Sequence, residues 1–121
     1  MDIISNYRFF KFIETIDLEI HAKYNLDKHS LHVLFMLADS NYFSDGASYK
    51  KIRLAINSNH SQLTNSLKIL STQSLIKKSF STIDKRVTNY YVTESGVDLI
   101  NNIEKNIEIN LHKFSTNNLS A

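Results

Sequence analysis

Apolar residues crowd the first two dozen positions of the chain. They fall at Ile3, Ile4, Tyr7, Phe9, Phe10, Phe12, Ile13, Ile16, Ile20 and Tyr24. The subset Phe9, Ile13, Ile16, Ile20 and Tyr24 steps at helical spacing, and the others widen the stripe, which predicts a helix over 3–24. A stripe so wide and aromatic on a terminal helix is more than one small domain covers, and it suggests a partner surface. Asp27 then reads as the N-cap of a second helix, 28–39, with Leu31, Val33, Leu34, Phe35, Leu37 and Ala38 as its apolar set. The stretch 41–48 contains Asp45-Gly46 and reads as a loop.

Ser48 is placed to cap a short helix over 49–56, with Ile52, Ala55 and Ile56 inward. The polar run Asn57-Ser58-Asn59 breaks it. A further helix, 58–74, carries Leu63, Leu67 and Leu70 at i, i+4, i+7, with Ile69 beside them. Two helices joined by a few small polar residues make a helix-turn-helix pattern. Two β-type segments follow, 75–80 and 87–93, and the tip between them holds Asp84, Lys85 and Arg86. A hairpin with a cationic tip after an amphipathic helix has the form of a DNA-binding wing. The last predicted helix, 94–114, sets Ile100, Ile103, Ile107 and Phe114 at a/d-like spacing, interrupted only by Asn110. Residues 115–121 read as a frayed tail.

The expected fold is mainly α with a small β-hairpin (α+β). It is a winged helix-turn-helix over about 48–93, flanked by terminal helices, in a single domain of 121 residues. The two terminal stripes suggest pairing in a homodimer through Ile3, Tyr7, Phe10, Ile100, Ile103, Ile107 and Phe114. The alternative is packing within one chain.

Composition narrows the function. The absence of cysteine removes disulfides, thiol nucleophiles and Cys-based metal sites, and fits a reducing cytoplasm. Two glycines cannot build the phosphate-cradling loops of nucleotide enzymes. No apolar run nears the length of a membrane span, and no signal-peptide pattern opens the chain, so no membrane partner is expected. The net charge of +2 hides an asymmetry. Residues 48–93 carry eight Lys/Arg against one acid, Asp84, while 1–47 carry four against seven and 94–121 two against four. A basic middle between acidic flanks is a footprint for a polyanion.

On the 58–74 helix the residues off the leucine stripe are Ser58, Asn59, His60, Ser61, Gln62, Asn65, Ser66 and Lys68. Asn and Gln bond bidentately to adenine edges, Ser bonds to bases or phosphates, and Lys contacts phosphate or guanine. Lys50, Lys51 and Arg53 on the preceding helix, with Lys77 and Lys78 beside the wing, suit the DNA backbone. Arg86 suits an A·T-rich minor groove, and Asp84 would hold it in place through a hydrogen-bonded pair. The plainer readings are a solvated helix face and a surface ion pair. His29 and His32 lie at i, i+3 without further ligands around them and read as ordinary residues, so no metal or cofactor is expected. No catalytic constellation is legible, and an enzyme is not expected.

These residues resemble the MarR-type winged-helix transcription regulators, and most of all their SarA branch. The wing signature D-x-R followed by L-T-x-x-G is met by Asp84-Lys85-Arg86 and Val92-Thr93-Glu94-Ser95-Gly96, with Val for Leu. Leu63 to Lys78 is similar to the family's recognition helix and first wing strand, and Gln62 with Lys68-Ile69-Leu70-Ser71 looks like the SarA version. Ser74 departs from the glycine most members have there, and Ser79, Ser81 and Thr82 replace the Pro, Asn or charges common in the wing. The resemblance implies a bacterial, nucleoid-associated homodimer that reads A·T-rich, pseudo-palindromic double-stranded DNA. It implies the 58–74 helix in the major groove and the wing in the minor groove. Two alternatives stay open. One is a repressor released by a small aromatic effector, bound near Phe9, Phe12, Phe35 and Tyr42; such an effector is not indicated by the residues themselves. The other is a winged helix used for protein contact alone.

Overall fold

The computed structural model describes residues 3–39, 46–80 and 86–119, with side chains over 6–39, 46–80 and 86–116. The helices are α1 (Ile3–Tyr24), α2 (Lys28–Ala38), α3 (Tyr49–Ala55), α4 (His60–Thr72) and α5 (Glu94–Leu119). The strands are β1 (Ala47–Ser48), β2 (Ile76–Phe80) and β3 (Thr88–Val92). They form an antiparallel sheet in the order β1-β3-β2. Helices followed by a hairpin with a short third strand make the winged helix that the pattern predicted. None of the described helices is long and apolar enough to cross a membrane.

The chain divides into two compact units, Met1–Leu26 with Asn101–Ala121, and Asp27–Ile100. In the first, the Phe12 ring stacks on Phe114 at 4.7 Å between centroids, and Phe9 meets the same ring edge-on at 6.2 Å. Asn110, the polar break in the apolar series of α5, donates its amide to the Asn106 carbonyl at 2.8 Å and so satisfies itself within its own helix. Helix α5 continues to Leu119, so the frayed tail expected over 115–121 is helical for most of its length.

The second unit has its core in Val33, Leu34 and Leu37 of α2, Ile52 of α3, Leu63, Leu67 and Leu70 of α4, and Leu75 and Ile76 at the start of the wing, all buried. Each such side chain contributes roughly 1.5–3 kcal/mol by leaving water. Caps set the helix starts. The Asp27 carboxylate accepts from the Ser30 N–H at 3.0 Å, and Ser48 Oγ accepts from the Lys51 N–H at 3.2 Å. Ala55, expected inward, is exposed, and Ile56 is half-buried; the seven-residue helix turns only Ile52 fully into the core.

Two expectations for this unit are corrected. Ala47 and Ser48, read as loop, pair with Tyr90 and Asn89 of β3, because β3 offers them a free edge. The fourth helix, read from about residue 58, starts at His60 and is capped by Asn59: Asn59 Oδ1 accepts from the Gln62 N–H at 2.8 Å.

The junction between α4, the wing and α5 accounts for the T-x-x-G part of the motif. Thr93 Oγ1 donates to the Ser74 carbonyl at 2.7 Å and accepts from the Gly96 N–H at 3.1 Å. The Thr93 N–H in turn bonds the Leu75 carbonyl at 3.0 Å. A Cβ on Gly96 would sit 2.3 Å from the Leu75 carbonyl oxygen, so any larger residue forces the helix off the wing. Ser74 closes α4 in the left-handed region, at φ 59°. That is the conformation glycine adopts without steric cost.

Candidate nucleic-acid interface

Helix α4 turns Leu63, Ser66, Leu67 and Leu70 inward and leaves a polar outer face. Of the residues predicted to read DNA, His60, Ser61, Gln62, Asn65 and Lys68 are exposed there, with no carboxylate among them. Thr64, Ser71 and Thr72 share that exposure and were missed by the sequence reading. Their spacing from His60 and Lys68 was the available signal. Asn59 is exposed, but its side-chain Oδ1 is taken by the cap.

Ser58 and Ser66 are corrected. Ser66 is 1 % exposed and Ser58 is also buried, so neither faces solvent. Both are held by His29, whose Nδ1 lies 2.6 Å from Ser66 Oγ and whose Nε2 lies 2.8 Å from Ser58 Oγ. The Ser30 hydroxyl donates to Ser66 Oγ at 3.2 Å. With both ring nitrogens engaged by serines, His29 is the polar hub of the α2–α4 contact and has no metal-ligand role to share with the exposed His32. Among the described residues no group of three or more His, Cys, Asp or Glu could hold a metal ion.

The basic residues separate into distinct places. Lys68 and Lys78 line one groove of about 370 Å³ with Tyr49, Thr64, Leu67, Ser71, Thr72 and Tyr90. Lys78 stands opposite Tyr90 in the sheet. Lys77, its neighbour in sequence, stands opposite Tyr91 on the other face, as strand alternation requires. Burial pushes the Tyr90 phenol above its ordinary pKa, and the Tyr49 phenol nearby adds to the rise. Lys50 and Arg53 line a second groove with Tyr49, Leu54, Asn57 and Ser58. Arg53 is partly committed to structure, since its Nε donates to the Ser58 carbonyl at 3.3 Å. Lys51 is exposed on the same helix. The Tyr49 hydroxyl bonds His60 Nδ1, and the two rings meet edge-on at 5.6 Å, pinning the first turn of α4 to α3. Arg86 is exposed in the turn before β3, while Asp84 and Lys85 lie outside the described residues.

The expected dimer residues divide in the same way. Tyr7 and Phe10 are 64 % and 70 % exposed, and Ile107 and Phe114 are half-buried. Ile100 and Ile103 are buried within the single chain, Ile103 to 1 %, so they belong to its own interior and present no surface to a second copy. The side chain of Ile3, like all of Tyr42, lies outside the described residues.

Comparison with known proteins gives this arrangement a lineage. A structure of MepR from Staphylococcus aureus in complex with DNA is similar over 88 % of this chain and 77 % of that one, at 18 % identity and a TM-score of 0.77. A MepR variant bound to an oligodeoxyribonucleotide is similar over 99 % and 86 %, at 20 % identity and a TM-score of 0.79. YusO from Bacillus subtilis is similar over 93 % and 77 %, at 19 % identity and a TM-score of 0.79. At such identities the likeness is one of fold. No curated protein matches the chain in sequence. The sequence profile described as transcriptional regulator SarA/Rot matches residues 15–103, well over half of the chain. The chain belongs to the SarA/Rot family of transcriptional regulators.

Proposed function

We propose that the chain binds double-stranded DNA as a homodimer, without catalysis, and reads A·T-rich, pseudo-palindromic operators. The observation that carries this reading is the outer face of α4. Ser61, Gln62, Asn65 and Lys68 stand exposed on a helix whose other side is locked by Leu63, Leu67 and Leu70. Rigid backing with hydrogen-bonding, acid-free residues outward suits insertion into a major groove. Lys50, Lys51, Lys77 and Lys78 would meet phosphates, and Arg86, with Lys85 and Asp84, would serve the minor groove. The DNA-bound state of the similar MepR structures supports the same assignment. Tyr7 and Phe10, uncovered in a single chain, are the residues we assign to the dimer contact. A two-fold dimer would place its two α4 helices on half-sites about one helical turn apart. A regulator of this kind works in the bacterial cytoplasm, on the nucleoid.

Selection of bound sites from random duplex, followed by titration at several salt concentrations, tests this reading. We expect enrichment of A·T-rich inverted repeats and a steep loss of affinity as salt rises. Salt-insensitive or absent binding would leave a winged helix devoted to protein contact. Within the complex, Arg86→Ala is expected to weaken binding by about 1–3 kcal/mol. Unchanged affinity in a folded variant would remove the wing from the interface.

A further inference from the structure

An exposed ring on the wing shares a strand face with one of its lysines. Along β2, Ile76, Lys78 and Phe80 fall on one face by strand alternation, opposite Val92, Tyr90 and Thr88 of β3. That face changes role along its length. Ile76 is buried and belongs to the core. Lys78 lines the groove that Lys68, Ser71 and Thr72 of α4 make with the sheet. Phe80 lies about 7 Å further out, two residues at the rise of a strand, and is 68 % exposed. Its cross-strand partner, Thr88, is too short to cover a phenyl ring. Lys78 also lines a hollow of about 260 Å³ with Ser79, Phe80 and Thr88, so it joins the α4 groove to the surroundings of the ring.

We propose that Phe80 is a DNA-contacting residue of the wing: its ring lies against the deoxyribose edge of the strand whose phosphate Lys78 meets, and it adds a salt-independent part to binding. The inference rests on the DNA-binding reading above. A lone exposed ring is ordinary on a protein surface. This one differs in its place, next along the strand face from a lysine of the α4 groove. Two observations select the occupant. Between Gly46 and Thr93 the sequence has eight Lys/Arg and one acid, Asp84, so the ring is set in cationic surroundings that fit a polyanion. The face is also continuous with the outer side of α4 through the groove that Lys68 and Lys78 share, so a duplex seated on the helix runs past the ring. A nucleic-acid strand supplies what such a face can hold, a phosphate for the lysine and a sugar beside it for the ring. Phenylalanine is among the apolar side chains that minor-groove proteins set against DNA.

Salt separates the ring from the lysine. Affinity for a selected duplex is measured at several salt concentrations for the native chain, Phe80→Ala and Lys78→Ala. Phe80→Ala is expected to bind about tenfold more weakly at every salt concentration with the native salt slope, because it removes apolar contact and no charge. Lys78→Ala should instead flatten the slope by about one. Thermal unfolding of Phe80→Ala should match that of the native chain, since the ring is largely outside the fold. Native affinity in Phe80→Ala would overturn the proposal. A second variant reads the contact directly. The chain has no tryptophan, so Phe80→Trp introduces a single fluorescent reporter. Adding duplex should quench its emission and shield it from acrylamide. Emission and accessibility unchanged in the complex would overturn the proposal whatever the alanine variant does. If the native chain binds no duplex, the DNA reading falls and the contact with it, which leaves the cationic face to an acidic protein partner. If duplex binds and the Phe80 variants behave as native, the contact falls alone.

Discussion

Helices α1 and α4 solve opposite problems with the same amphipathic design. In α4 the leucine stripe is entirely inside the chain, and the polar face is left outside. Among the described side chains of α1 only Ile20 is buried, while Tyr7, Phe10, Ile13 and Leu18 stand in solvent. A helix whose apolar side is satisfied by its own chain has a polar face free for recognition. A helix that leaves aromatic rings uncovered needs a second surface, since apolar patches of this kind on isolated proteins mark contact sites.

The sharpest way to test the contrast is to truncate one apolar residue on each helix. Leu63→Ala removes a fully buried side chain and is expected to cost about 3 kcal/mol of stability by chemical denaturation. A cost under about 1 kcal/mol would mean that α4 is not held from behind. Phe10→Glu should leave the unfolding of the single chain nearly unaltered. By light scattering it should convert dimer to monomer, a change of about 2 kcal/mol in association. An unaltered mass would assign the exposed face of α1 another use. Smaller in effect, Ser74→Gly should stabilise the chain by about 1 kcal/mol, because the left-handed φ at the end of α4 no longer opposes a Cβ. No gain would show that the bond from Thr93 to the Ser74 carbonyl already relaxes that turn.

The smallest effect concerns the start of α2. Burial by itself raises the Asp27 pKa, but the hydrogen bonds from Ser30 and the nearby charge of His29 outweigh it and hold the carboxyl below its ordinary value of 3.8. The folded pKa therefore lies below the unfolded one. The Asp27 contribution is fully present above the unfolded value and is lost as pH falls through the folded one. Asp27→Asn should flatten the acid limb of the stability curve below about pH 4. An acid limb identical to the native one would place its origin in other carboxylates.

Much of this was legible in the sequence because it is local. Asp27 and Ser48 cap the helices they were expected to cap, and the bounds of α1 follow from spacing alone. The two strands of the wing follow from residue type. What stayed hidden depends on residues far apart in the chain. Ser58 and Asn59 are equally good caps by type. Asn59 takes the role, while the Ser58 hydroxyl is engaged by His29, 29 positions upstream. Ser66 looks like any polar helix residue until the same ring reaches it from 37 positions away. Strand β1 is two residues long and has no alternation to read; its partner in β3 defines it. Ile100 and Ile103 had the spacing of an interface and the burial of a core, and spacing cannot tell one from the other.

The sheet order β1-β3-β2 has a consequence for handling as well as for recognition. Its outer strands are a two-residue stub and β2, whose far side is left unpaired by the described strands. A bare strand edge is a template for another chain, and lysine is a common guard against it. Lys77 and Lys78 occupy that strand with exposed side chains, close to the exposed ring of Phe80. Neutralising both to weaken phosphate contact would therefore also unguard the edge. A preparation of that double variant should be watched for fibrillar or turbid material before a loss of binding is ascribed to charge.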